Sequence, residues 1–181
     1  LKSMVDDMPD SQAFTNQVTQ TVRSLEITEY GKDRLPAGPN IDDSDEIIIV
    51  EGRADVINLL KYGIRNVIGL NGASVSDTII DLIKKKVVTL FIDGDRGGEL
   101  ILRRLSSLAD LDFVCRAPDG KEVEELTLKE INKALRAKIA WEQARAEFLG
   151  EEDSKFKDRD FRDKVKRRTF ERKVMPAEVE D

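Results

Sequence analysis

Two short apolar runs, each stopping at acidic residues and glycine, constrain this chain more than any other feature. The first reads Asp45-Glu46-Ile47-Ile48-Ile49-Val50-Glu51-Gly52-Arg53-Ala54-Asp55-Val56. The second reads Val87-Val88-Thr89-Leu90-Phe91-Ile92-Asp93-Gly94-Asp95-Arg96-Gly97-Gly98-Glu99. Runs of Ile and Val bounded by turn signals predict buried strands. Amphipathic segments lie between and after them, so the pattern alternates strand and helix. That alternation predicts an α/β fold: a small parallel, Rossmann-like sheet with helices on both faces. In such sheets ligands bind beyond the carboxyl ends of the strands. Glu51, Asp93 and Asp95 fall there, so the expectation is an acidic magnesium site on a small α/β domain.

Composition narrows the function classes. The chain has 181 residues, enough for one domain and its flanks. A formal net charge of −6 argues against a protein that merely coats nucleic acid. It leaves room for a nucleic-acid enzyme in which metal ions bridge acidic residues to phosphates. The single cysteine, Cys115, forms no disulfide within the chain and is expected as buried packing. Histidine is absent, which removes imidazole acid–base catalysis and histidine metal ligation. No apolar stretch approaches the ~20 residues that span a bilayer, and no signal-peptide pattern is visible. The expectations are a cytoplasmic location and no membrane partner. The chain opens on Leu1 rather than Met, which suggests a piece of a longer protein.

Three segments are expected: a flank and linker over 1–44, a catalytic domain over 45–127 and a helical, charged extension over 128–181. Gln12 to Arg23 is expected as a short helix with Phe14 and Val18 on one side. Ser24 to Tyr30 alternates with the period of a half-buried strand. Gly31 to Ser44, with Leu35-Pro36-Ala37-Gly38-Pro39-Asn40, is expected as a loop. Within the domain, strands are expected at Ile47–Val50, Asn66–Leu70, Val87–Ile92 and Leu111–Cys115. A helix over Arg53–Tyr62 buries Val56, Leu59 and Leu60, and Gly63 ends it with a left-handed cap. Asn71-Gly72-Ala73 is a tight turn. Ser74 is expected to cap the next helix, with Val75, Ile79, Leu82 and Ile83 buried and Lys84-Lys85-Lys86 closing it. The helix over Gly98–Leu108 turns Leu100, Ile101, Leu105 and Leu108 to the sheet. Thr127 caps a long helix to about Leu149, to which Trp141, Phe148 and Leu149 give apolar contacts. From Gly150 onward the chain is densely charged.

The spacing of the acids carries the chemistry. Asp93 and Asp95 are two apart at a strand end, on one face and roughly 6–7 Å apart along the chain. Gly94 between them tolerates unusual dihedrals, so the turn can aim both at one ion. Magnesium takes oxygen ligands, commonly one or two carboxylates with waters and substrate phosphates. Glu51 reaches the same ions if its strand neighbours the third, since adjacent strands are about 4.8 Å apart. Asp55, one helical turn on, can point back at the site. Asp-Gly-Asp is also ordinary turn chemistry. Two acidic strand ends in one sheet, each followed by glycine and arginine, favour a site. Gly97-Gly98 admits a phosphate at the helix terminus or close packing equally well.

These residues resemble a known family. Ile49-Val50-Glu51-Gly52-Arg53-Ala54-Asp55-Val56 together with Phe91-Ile92-Asp93-Gly94-Asp95-Arg96-Gly97-Gly98 resembles the TOPRIM domain of topoisomerases and bacterial-type primases. Leu35-Pro36-Ala37-Gly38-Pro39 and Arg116-Ala117-Pro118-Asp119-Gly120-Lys121-Glu122-Val123-Glu124-Glu125-Leu126 extend the resemblance to the archaeal DnaG-type primases. The resemblance implies that Glu51, Asp93 and Asp95 are catalytic and bind Mg²⁺ or Mn²⁺, as two ions. Asp55, Glu122 and Glu124 match further acidic positions of bacterial primases. There the third motif carries aspartates, and Glu122 and Glu124 read equally as a solvated loop.

The resemblance implies a DNA-directed RNA primase, a nucleotidyltransferase whose partners are a single-stranded DNA template and ribonucleoside triphosphates. Arg53, Arg65, Arg96, Arg103 and Arg104 are candidates for a basic template groove. The alternative it implies is an RNA-binding adaptor of the archaeal RNA-degrading exosome. The basic run Lys164-Val165-Lys166-Arg167-Arg168 suits either role. A metallonuclease is a third reading, because the same acids serve hydrolysis.

Overall fold

The computed structural model describes residues 10–72 and 74–150. The described residues fall in two units that divide after Trp141. The first holds a seven-stranded sheet in the order β1-β2-β4-β3-β5-β6-β7. Its strands are β1 (Thr28–Tyr30), β2 (Leu35–Ala37), β3 (Glu46–Val50), β4 (Val67–Gly69), β5 (Val87–Ile92), β6 (Phe113–Arg116) and β7 (Ile139–Ala140). The helices are α1 (Ser11–Ser24), α2 (Arg53–Lys61), α3 (Asp77–Lys85), α4 (Arg96–Leu108) and α5 (Leu128–Arg136), followed by α6 (Trp141–Leu149). Among the described residues, no helix is long and apolar enough to cross a membrane.

The four middle strands are parallel, as their apolar runs require: Ile47, Ile49, Val50, Val88, Leu90, Phe91 and Ile92 are all buried. The chain leaves β3 for β4 on one side, then passes back to β5 on the other. Right-handed crossovers in opposite directions put α2 on one face and α3 and α4 on the other. The face beneath α2 is a continuous core of Val50, Val56, Leu59, Leu60, Phe91, Cys115, Val123, Leu126 and Ile131. Cys115 is packing, as expected, and burial pushes its thiol up to about 12. Gly63 ends α2 with φ +82.

The structure departs from the sequence reading in several places. The expected loop over Gly31–Ser44 contains β2, which is fully buried and pairs antiparallel with β1 and β4. Pro36 leaves that ladder one donor short, and the pairing to β4 is a single residue pair, Ala37 with Ile68. The alternating strand over Ser24–Tyr30 shortens to β1, because α1 runs on to Ser24. α1 forms as expected but buries none of its residues, and Phe14 is 60% exposed. Ser76, not Ser74, caps α3 by accepting the Ile79 N–H, so Val75 lies ahead of the helix.

α4 is rotated from expectation. It buries Gly98, Ile101, Leu102 and Leu105 while Leu100 and Leu108 are exposed. The buried set keeps the i, i+3, i+4, i+7 stripe, and glycine is what lets its first member touch the sheet. The expected long helix from Leu128 is two helices. β7 interrupts it and pairs with β6, Phe113 with Ala140 and Val114 with Ile139. Neither glycine nor proline marks that break, which an edge of the sheet imposes. The side chain of Leu149, Ala73 of the expected turn and the basic run 164–168 lie outside the described residues.

Candidate active site

β3 and β5 are hydrogen-bonded neighbours, with Glu46 opposite Val87 and Ile49 opposite Leu90. The strand order reverses between them, and such a switch point opens a crevice at the carboxyl ends. Glu51 follows β3 and Asp93 follows β5, so both stand at that crevice. The two carboxyl groups are close enough for each to perturb the other's pKa. The condition on which the sequence reading depended, that these strands be adjacent, is met.

Each acid is held differently. Asp93 is buried, and its Oδ1 accepts the Val123 backbone N–H at 2.7 Å. Burial raises its carboxyl pKa, the Val123 bond lowers it, and Asp95 raises it further, with a net upward shift. Glu51 is half-buried, and desolvation, then Asp93 and Asp95, push its pKa up. Asp95 is exposed and caps α4, its Oδ1 accepting the Gly98 N–H at 3.0 Å. Asp55 is 5% exposed and turns back to accept the Gly52 N–H at 2.9 Å, closing the first turn of α2. Burial outweighs that bond and, with Asp93 and Glu124, lifts Asp55 to about 7. Glu122 and Glu124 are exposed on the loop after β6; Glu124 and then Asp93 push Glu122 up. The charged neighbours that shift Glu51, Asp55, Asp93 and Glu122 are carboxylates in every case.

Such mutual repulsion is relieved by protons or by a cation. The donors are hard oxygens, and one oxygen of Asp93 stays clear of the Val123 bond, which fits magnesium. Among the described residues, no three acidic side chains close into a ready ligand cage. The arrangement is open, as suits an ion that keeps waters and takes substrate phosphates.

The turn between Asp93 and Asp95 is fixed by close approach, which Gly94 allows because it has no side chain. A Cβ on Gly94 would lie 2.0 Å from the Pro118 carbonyl oxygen. Gly94 donates its N–H to the Lys121 carbonyl and its own carbonyl accepts from Gly120. Gly98 settles toward packing: a Cβ there would lie 2.5 Å from the Asp93 carbonyl oxygen.

Of the expected basic groove, Arg53 and Arg96 are exposed at the first residues of α2 and α4, beside the acids. Arg103 and Arg104 are exposed farther along α4. Arg65 does not belong with them: it precedes β4, at the opposite end of the sheet, and pairs with Glu26 at 2.9 Å. The sequence reading missed the Val123 amide, which leaves no residue-type signature. It also missed Asn58, a buried amide among the apolar positions of α2, and that mismatch was a usable signal.

Residues 45–117 match the model of the Toprim domain, and the fold and site described above lie largely in that segment. The chain is 51% identical to the DNA primase DnaG of Thermococcus kodakarensis over 176 residues, 97% of this chain and 37% of that protein. It is 58% identical to DnaG of Methanocaldococcus jannaschii over 149 residues, 82% of this chain and 35% of that protein. The chain is similar to archaeal DnaG primases on both sides of its Toprim segment. The chain spans roughly a third of the length of the relatives it matches. Among solved structures, the fold is similar to the RNA polymerase domain of Mycobacterium tuberculosis primase (TM-score 0.55, 19% identity, 72% of this chain and 52% of that one). It is also similar to the Aquifex aeolicus primase (TM-score 0.53, 21% identity, 70% of this chain and 35% of that one).

Proposed function

We propose that this chain supplies the nucleotidyl-transfer centre of a DNA primase, joining ribonucleotides on a single-stranded DNA template. The observation that carries the reading is that Glu51 and Asp93 follow neighbouring strands at the switch point of the sheet and perturb each other's pKa, in a chain 51% identical to an archaeal primase. Glu51, Asp93 and Asp95 hold the metal; Asp55, Glu122 and Glu124 surround it with further negative charge. Two magnesium or manganese ions bound there would neutralise the triphosphate and lower the barrier to attack by the primer hydroxyl. The hydroxyl oxygen bonds to the α-phosphorus, and pyrophosphate leaves with the electrons of the broken P–O bond. Glu51 also accepts the hydroxyl proton in this reading. Asp93, tied to the Val123 amide, keeps its position through the reaction. Arg53 and Arg96 contact the phosphates of template or triphosphate.

The test is incorporation of labelled ribonucleotide by the complete protein on single-stranded DNA. Glu51→Gln and Asp95→Asn should each lower it at least about a hundredfold, with DNA binding retained. Wild-type activity in both variants would remove the assignment. No observation of the structure or of the relatives supports the exosome-adaptor reading.

A further inference from the structure

We propose that Asn58 is a positioning residue for the metal site, acting through a backbone amide. Asn58 is buried on α2 beside Val56, Leu59 and Leu60. An amide in such surroundings is costly unless its hydrogens are bonded. Both are: Nδ2 donates to the Val123 carbonyl and to the Leu126 carbonyl, each at 2.9 Å. Those carbonyls flank one 3-10 turn, Val123–Glu125, whose own closing bond runs from Leu126 N–H to Val123 O at 3.3 Å. The side chain therefore braces the turn from both ends. The N–H of the same Val123 donates to Asp93 Oδ1. A rigid helix, one amide side chain and the backbone of one residue, held at its carbonyl and donating through its N–H, thus fix a carboxylate oxygen of Asp93 and leave the other for the cation. Groups that orient a ligand in this way usually matter about 10- to 100-fold in metal affinity.

The inference rests on the metal-site reading, and the experiment separates the two. Asn58→Leu removes both donors at similar volume, and Asn58→Asp removes them isosterically. Ile79→Val, in the core of α3 and outside the cluster around Val123, serves as the stability control. Two quantities are measured on the complete chain: hydrogen exchange of the Val123 amide without metal, and Mn²⁺ affinity by titration. Both Asn58 variants should speed Val123 exchange beyond what their global stability explains. Both should also weaken Mn²⁺ binding about tenfold. Ile79→Val should leave Mn²⁺ affinity unchanged. Wild-type Mn²⁺ binding with unaltered affinity in the Asn58 variants would overturn this inference alone. Failure of the wild-type protein to bind Mn²⁺ would overturn the metal-site reading and this inference with it.

Discussion

The two ends of one sheet treat charge in opposite ways. At the amino ends of the parallel strands, polar groups are paired off. Arg65 meets Glu26, Asn66 donates to the Glu46 carbonyl, and Lys86 Nζ donates to the carbonyls of Asp42 and Ser44. Asp112 accepts the Val88 N–H at 2.8 Å. At the carboxyl ends, Glu51, Asp55 and Asp93 crowd against one another, and their pKa values rise. The strands are the same strands, so the difference is not one of scaffold. A folded chain settles its charges where nothing further is to bind. The repulsion left at the carboxyl ends is what the proposed metal site accounts for.

Breaking that contrast should show first in catalysis. Asp93→Asn should cut primer synthesis by the complete protein about a hundred- to thousandfold, while Arg65→Gln, at the other edge, leaves it unchanged. Comparable losses in the two variants would mean that the edges do not differ as described. A smaller effect lies in stability against pH. Asp55 has a folded pKa of about 7 against an ordinary value of 3.8. The folded state therefore binds the proton more tightly, and metal-free stability falls as pH rises from about 4 to about 7, by at most about 4 kcal/mol. Urea unfolding across that range should show the decline, Asp55→Asn should flatten it, and magnesium should restore stability above pH 7. A rise in metal-free stability over the same range would contradict the assignment. Gly94→Ala should cost about 1–3 kcal/mol, since its Cβ would strike the Pro118 carbonyl. Thermal unfolding measures that cost, and a neutral result would show that the loop after β6 is not clamped to the acid turn. The smallest effect is expected at the settled edge. Loss of the partly exposed Arg65–Glu26 pair should change stability by less than about 1 kcal/mol by urea titration.

Much of this architecture is legible in the order of residues alone. The acidic strand ends and their parallel sheet follow from local signals: apolar runs, turn residues and the rule that ligands gather at carboxyl ends. That Glu51 and Asp93 share one crevice depended on the pairing of β3 with β5. What misleads is contact between segments distant in sequence. Leu35-Pro36-Ala37 reads as a loop because proline weakens a strand, yet it lies between two strands that supply its partners. Leu128 to Leu149 reads as one helix because nothing local interrupts it, yet the edge of β6 recruits Ile139 and Ala140. α4 reads with Leu100 and Leu108 inward, yet Gly98 packs on Asp93 and sets the phase so that Leu102 is buried instead.

The chain by itself determined which side chains would stand at the tips of β3 and β5, because strand propensity and the turn after each strand are written in adjacent residues. The tertiary structure alone decided how those side chains are held. The Val123 amide on Asp93 and the Asn58 amide behind it join residues 30 and 65 positions apart in the chain. Hydrogen bonds of that separation exist only once the sheet and its helices have closed, and no local pattern of residues encodes them.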